Sequence, residues 1–118
     1  MSHHSFFIGL IASLLACTTI TARAQLNNRL EAVQLVQQGD IQLRLGNSEQ
    51  ALTQYTNAIQ TDMAFADGYM KRATLLSRLG RNTEALADMD RALELNPYSE
   101  YIFDRRAKVK ILMNDMKG

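Results

Sequence analysis

The clearest pattern along the chain is an apolar stripe at helical spacing over residues 48–61. Ala51, Leu52, Tyr55, Ala58 and Ile59 fall at i, i+1, i+4, i+7 and i+8, which turns them to one side of an α-helix. Four more stretches carry the same kind of pattern. A polar lead-in at 25–31, with Asn27 or Asn28 as its cap, opens a helix that runs to about Leu45 and has Leu30, Val33, Val36, Ile41, Leu43 and Leu45 among its apolar positions. Further helices are predicted over 64–79, 83–95 and 99–115. Punctuation agrees with these limits. Gly46 and Gly80 stand where a helix ends in a left-handed residue. Asn47, Ser48, Asn82 and Thr83 follow as candidate caps for the next helix, and Ser99 as the cap of the last. Asn96 and Pro97 stop the fourth helix, because a residue before proline avoids the α region.

These elements repeat. Gly46 and Gly80 are 34 residues apart, as are Ala51 and Ala85, Leu52 and Leu86, Ala58 and Ala92, and Leu45 and Leu79. The register continues through Leu35, Tyr69 and Phe103, and through Gly39, Ala73 and Ala107. Two helices approach closely only where one side chain is short, so Gly39, Ala73 and Ala107 mark helix crossings, each with a bulky residue four positions earlier. A period near 34 that carries two helices resembles the tetratricopeptide repeat from about Ala32 to the C-terminus. Met63 stands where the first repeat would have proline, and the chain has no Trp. The resemblance implies an all-α fold, a short right-handed α-solenoid of antiparallel helix pairs. Repeat one would cover about 32–65, repeat two 66–99, and a half repeat or capping helix 100–116. In that last helix Ile102, Val109 and Met113 are expected to pack back on repeat two, leaving Phe103, Ala107 and Leu112 for a partner or a second copy of the chain.

Composition narrows the function classes. The formal net charge is +1 over 118 residues, which argues against a nucleic-acid surface. Both histidines and the single cysteine lie within the first 17 residues, so residues 25–118 hold no Ser-His-Asp or Cys-His machinery, no Cys/His zinc set and no disulfide. Glu84, Asp88 and Asp90 form the one carboxylate cluster. Residues two apart on a helix diverge, so the cluster reads as a solvated face with Arg91 relieving Asp88, and not as a metal site. No cofactor and no catalysis are expected.

Residues 1–24 read as a signal peptide. The apolar run 6–16 has the length of an h-region, and Ala22, Arg23, Ala24 form an A-x-A pattern before Gln25. Residues 25–118 would then be the mature domain. The alternative is a lipoprotein box at Leu14, Leu15, Ala16 and Cys17, giving a lipid-anchored bacterial envelope protein that assists assembly of a membrane or secretion complex. A membrane contact is expected only if Cys17 is lipidated or the leader stays uncleaved. Either form places the protein outside the cytoplasm, periplasmic or secreted, or else anchored in a membrane.

The resemblance also implies a groove lined by the first helix of each repeat and holding a peptide or helix of a partner protein. Carried over by register, the partner-binding residues are Asp40, Arg44, Met70, Lys71, Arg78, Tyr101, Arg105 and Lys108, flanked by Val36, Gln37, Thr74, Ser77 and Asp104. Such a mildly basic groove suits an acidic extended segment or a peptide C-terminus. The family's carboxylate clamp for chaperone tails needs Lys, Asn, Asn, Lys and Arg. Those places hold Val36, Asp40, Lys71, Tyr101 and Arg105, and only Arg105 agrees. Because two and a half repeats are few, a homo-oligomer is also expected as an option.

Overall fold

The computed structural model describes residues 2–117. Five helices in succession make up the described residues: α1 (Ser2–Arg44), α2 (Ser48–Thr61), α3 (Ala66–Arg78), α4 (Asn82–Leu95) and α5 (Glu100–Lys117). The C-terminal part of α1 packs on α2, α3 packs on both α2 and α4, and α5 closes against α4. One apolar core runs through the stack from Ala32 and Val36 to Ile102 and Val109.

The turns form as the glycines require. Gly46 and Gly80 have φ of +83° and +78°, a left-handed geometry that no Cβ favours. In the first turn the Asn47 amide donates to the Gln42 carbonyl at 2.9 Å and the Gly46 amide to Leu43 at 3.1 Å. In the second, Arg81 donates to Leu76 at 2.9 Å and Gly80 to Ser77 at 3.1 Å. Each pair satisfies two of the carbonyls that a helix end leaves open. Capping by side chains is weaker than expected. Asn47 and Arg81 occupy the N-cap positions of α2 and α4 without a side-chain bond to their helices. Ser99 does cap α5, its hydroxyl accepting from the Ile102 amide at 3.4 Å.

The helix crossings follow the small–large marks. Gly39 lies so close to Tyr55 that a Cβ there would sit 2.5 Å from Cε1 and 2.7 Å from Cδ1 of the ring. Tyr55 is fully buried, as are Ala73 and Ala92. Ile102 and Val109 are buried and Met113 packs beside the core, while Phe103 keeps half its surface exposed.

Two expectations change here. Asn27 and Asn28 cap nothing, because α1 is one 43-residue helix in which they are internal. Ala24 and Gln25, the predicted cleavage boundary, also lie within it, and residues 3–31 are exposed throughout. By length and composition alone this helix can cross a membrane: its best window has a mean hydropathy of 1.9 and none of that window is buried, features that a leader sequence shares. The carboxylate cluster differs as well. Asp88 is not relieved by Arg91 on a solvated face. It is buried and held by Arg72 of α3, Nε and Nη2 donating to its two oxygens at 2.7 and 2.8 Å. Arg91 pairs with Glu94, Arg81 with Glu84, and Asp90 with Arg106 of α5. The sequence hid this because the partner of Asp88 sits on another helix, 16 residues away.

Candidate partner-binding groove

α1, α3 and α5 expose their polar sides on one common face, since α2 and α4 take up their apolar sides. Two hollows open along it. The first, about 170 Å³, has Asp40, Tyr55, Met70, Lys71, Arg78 and Tyr101 around it. The second, about 150 Å³, lies between α3 and α5, with Thr74, Ser77, Arg78, Arg105 and Lys108 in its lining. Seven of the eight residues carried over by register therefore border these hollows, and Arg78 borders both. Arg44 borders neither; it is exposed near the end of α1. Met70 is buried and forms floor, not rim. Val36, placed in the lining from sequence, belongs to the core at 5% exposure, because it faces the interior side of α1.

The centre of the face is a three-helix network. Tyr55 of α2 donates its hydroxyl to Asp40 Oδ1 at 2.6 Å, and Lys71 of α3 donates to Asp40 Oδ2 at 2.9 Å. Burial pushes the Asp40 carboxyl up, but Lys71, Tyr55 and the nearby Arg44 charge outweigh it and hold the group below its ordinary value. Burial, with the neighbouring Asp40 carboxylate, pushes the Tyr55 phenol up, so it stays neutral and remains a donor. Further along, Lys108 is taken up by Asp104 at 2.7 Å, and the Arg105 guanidinium lies 5.4 Å from the centre of the Tyr101 ring. Neither Arg78 nor Arg105 makes an ion pair among the described residues, and both are exposed on the face.

A larger hollow of about 520 Å³ lies on the opposite side, against α2 and α4. Four of its five charged residues are matched to one another, Arg72 with Asp88 and Arg81 with Glu84, and the fifth, Glu49, makes no ion pair among the described residues, so it offers no free cation to an acidic ligand. Sequence reasoning missed both Arg72 and the role of Tyr55. The recurrence of Arg72 as Arg106 one period later was a signal available for the first. Among the described residues no cluster of three or more His, Cys, Asp or Glu side chains is arranged to hold a metal.

Comparison with known proteins agrees with this geometry. The family model described as tetratricopeptide repeat matches residues 66–99, the α3–α4 hairpin with its flanking turns. The chain is 36% identical over 98 residues to the DnaJ homolog subfamily C member 7 homolog of Schizosaccharomyces pombe, covering 80% of this chain and 20% of that protein. It is 35% identical over 78 residues to the tetratricopeptide repeat and J domain-containing co-chaperone DNJ1 of Cryptococcus neoformans, covering 66% of this chain and 15% of that one. Among solved structures, the second TPR of Spaghetti (RPAP3) bound to the HSP90 peptide SRMEEVD superposes with a TM-score of 0.72 at 25% identity, over 80% of this chain and 87% of that one. The chain belongs to the tetratricopeptide repeat family. It spans a fifth or less of the length of the curated relatives it matches.

These relatives correct the expected location. They are eukaryotic proteins of the DnaJ and co-chaperone kind, which points away from an exported, periplasmic or secreted protein and from a bacterial lipoprotein anchored at Cys17. The location was read from the apolar run 6–16 and the A-x-A pattern at Ala22, Arg23 and Ala24, neither of which identifies a compartment. In the structure the run is the first part of the helix that goes on to build repeat one.

Proposed function

We propose that the chain is a non-catalytic binding module whose α1–α3–α5 face holds a segment of a partner protein in a chaperone-associated setting. The observation that carries this is the convergence of seven register-predicted residues around two adjoining hollows, with Arg78 shared between them. The likeness to a domain bound to a chaperone peptide and to DnaJ-type relatives supports the class of partner. Hydrogen bonds to an extended main chain and the charge of Arg78 and Arg105 supply the contacts such a segment needs. No group on the face is arranged as a nucleophile with a base, and the hydroxyl–carboxylate contact, Tyr55 to Asp40, ties helices together.

Photo-crosslinking in extracts of the native cell tests the reading. A photoreactive residue at Thr74 in the groove is expected to form partner adducts, and one at the exposed Thr53 of α2 on the opposite side is not. The Thr74 adducts disappear when Arg78→Glu and Arg105→Glu are added. Adducts that form at Thr53 and survive both charge reversals move the binding surface off the groove.

A further inference from the structure

The groove carries carboxylates that a peptide-binding face for acidic tails would not want: the exposed Asp67 in the lining of the first hollow, and Asp40. Asp40 sits at its centre with a third of its side chain exposed, and Lys71, the nearest cation, is spent on it. The related domain described above is bound to SRMEEVD, a peptide with two glutamates and a terminal aspartate. An acidic segment laid across α1 and α3 here would bring its carboxylates against Asp40. It would also find Lys71 already neutralised and its ammonium protons directed at an internal acceptor. A like charge at a desolvated contact opposes binding more strongly than a rim charge favours it.

We infer that Asp40 is a specificity-determining residue: held by Lys71 and Tyr55, its carboxylate bars acidic peptide ends from the centre of the groove, which therefore takes a partner segment without acidic side chains at that point. The inference rests on the proposed reading of this face as a partner groove. Three features on the page support it. Asp40 cannot swing aside, because a fully buried tyrosine hydroxyl holds one oxygen at 2.6 Å. It cannot easily be protonated at neutral pH, because Lys71 and Arg44 favour its charged form. And Arg78 and Arg105 remain at the sides of the same face, so the exclusion is local and not a property of the whole surface.

The test is fluorescence anisotropy with labelled SRMEEVD on the full chain, wild type against Asp40→Asn. An asparagine keeps an acceptor for the Tyr55 hydroxyl, so the fold is retained, and circular dichroism checks this. Releasing Lys71 and removing the opposing charge is expected to tighten the peptide at least about tenfold. Part of that gain, the part due to the removed carboxylate, must remain in Asp40→Asn with Lys71→Ala. Wild type binding as tightly as Asp40→Asn overturns the inference while leaving the groove in place. A gain that vanishes entirely without Lys71 overturns the mechanism, because the freed cation and not the lost carboxylate would then account for it. Absence of peptide binding in all three proteins also overturns it, since Asp40 would then not be what excludes the tail; the Thr74 crosslinks separately decide whether the groove binds a partner at all.

Discussion

Replacing Gly39 by alanine sets two effects of opposite sign against each other. Gly39 is internal to α1, where alanine is the better helix former by about 1 kcal/mol. Propensity alone therefore predicts a more stable protein. Packing predicts the reverse. The new Cβ would lie 2.5 Å from Tyr55 Cε1, 2.7 Å from Cδ1 and 3.1 Å from Cζ. Carbon atoms prefer about 3.5–4.0 Å, so the ring must withdraw by roughly 1 Å. It has nowhere to go, since Tyr55 is fully buried and its hydroxyl is tied to Asp40. Overpacking costs about 1–3 kcal/mol, and so short an approach to a ring that cannot withdraw belongs at about 2–3 kcal/mol, so subtracting the propensity gain leaves a net loss of about 1–2 kcal/mol. For a domain of this size that is a fall in Tm of roughly 5–15 °C. Thermal and urea denaturation followed by circular dichroism measure it. One period further on, Ala73 and Met89 hold the places of Gly39 and Tyr55, a larger small residue with a slimmer large one. The double change Gly39→Ala with Tyr55→Met copies that pair and should show a favourable coupling of about 1 kcal/mol in a double-mutant cycle. If Gly39→Ala leaves Tm unchanged or raises it, or if the coupling is zero, the close crossing does not govern this repeat.

Three further outcomes are expected. Arg72→Met leaves Asp88 buried without its partner and should cost about 3 kcal/mol in urea unfolding, whereas Arg72→Met with Asp88→Leu should recover most of it. Gly80→Ala meets no neighbouring atom but forces alanine to φ of +78°, so it should lose about 1–2 kcal/mol, with Gly80→Asn losing less. Because the Asp40 carboxyl is held below its ordinary value in the folded chain, its contribution is present above the unfolded value of about 3.9. It is lost as pH falls through the lower folded value, so Asp40→Asn should show a shallower loss of Tm on acidification than wild type.

The repeat was readable in the sequence because its marks are backbone requirements. Gly46 and Gly80 report a left-handed φ, and Gly39 and Ala73 report a close crossing, whatever surrounds them. The last four helices accordingly start and stop within two residues of their expected limits. Register also brought Asp40, Lys71, Arg78 and Arg105 to one face. What register lacks is any information on which side chains meet across helices. It placed Val36 in the groove although it is buried in the core, and it left Asp88 on a solvated face although Arg72 reaches it from α3. The start of α1 was misjudged for another reason. The polar residues 25–31 looked like a lead-in, yet nothing in them breaks a helix, and an apolar helical segment before them leaves no boundary.

Two of the cation–carboxylate pairs that join helices use adjacent residues of α3, Lys71 and Arg72, and their burial separates their roles. Arg72 and Asp88 are 25% and 9% exposed and meet through two parallel hydrogen bonds, so breaking the pair strands a charge in a dry place. Lys71 and Asp40 are 39% and 33% exposed, which puts them in the range where an ion pair contributes little to stability. The second pair is therefore poorly explained as a fastening. What it does control is the charge that a ligand meets at the centre of the groove. Tyr55 connects the two concerns: its ring fills the Gly39 crossing, and its hydroxyl fixes the carboxylate in place. The side chain that sets the spacing of repeat one thus also orients the residue that selects among ligands. An amide at position 40 should accordingly change selectivity at small cost to the fold, whereas a change at Tyr55 should disturb both.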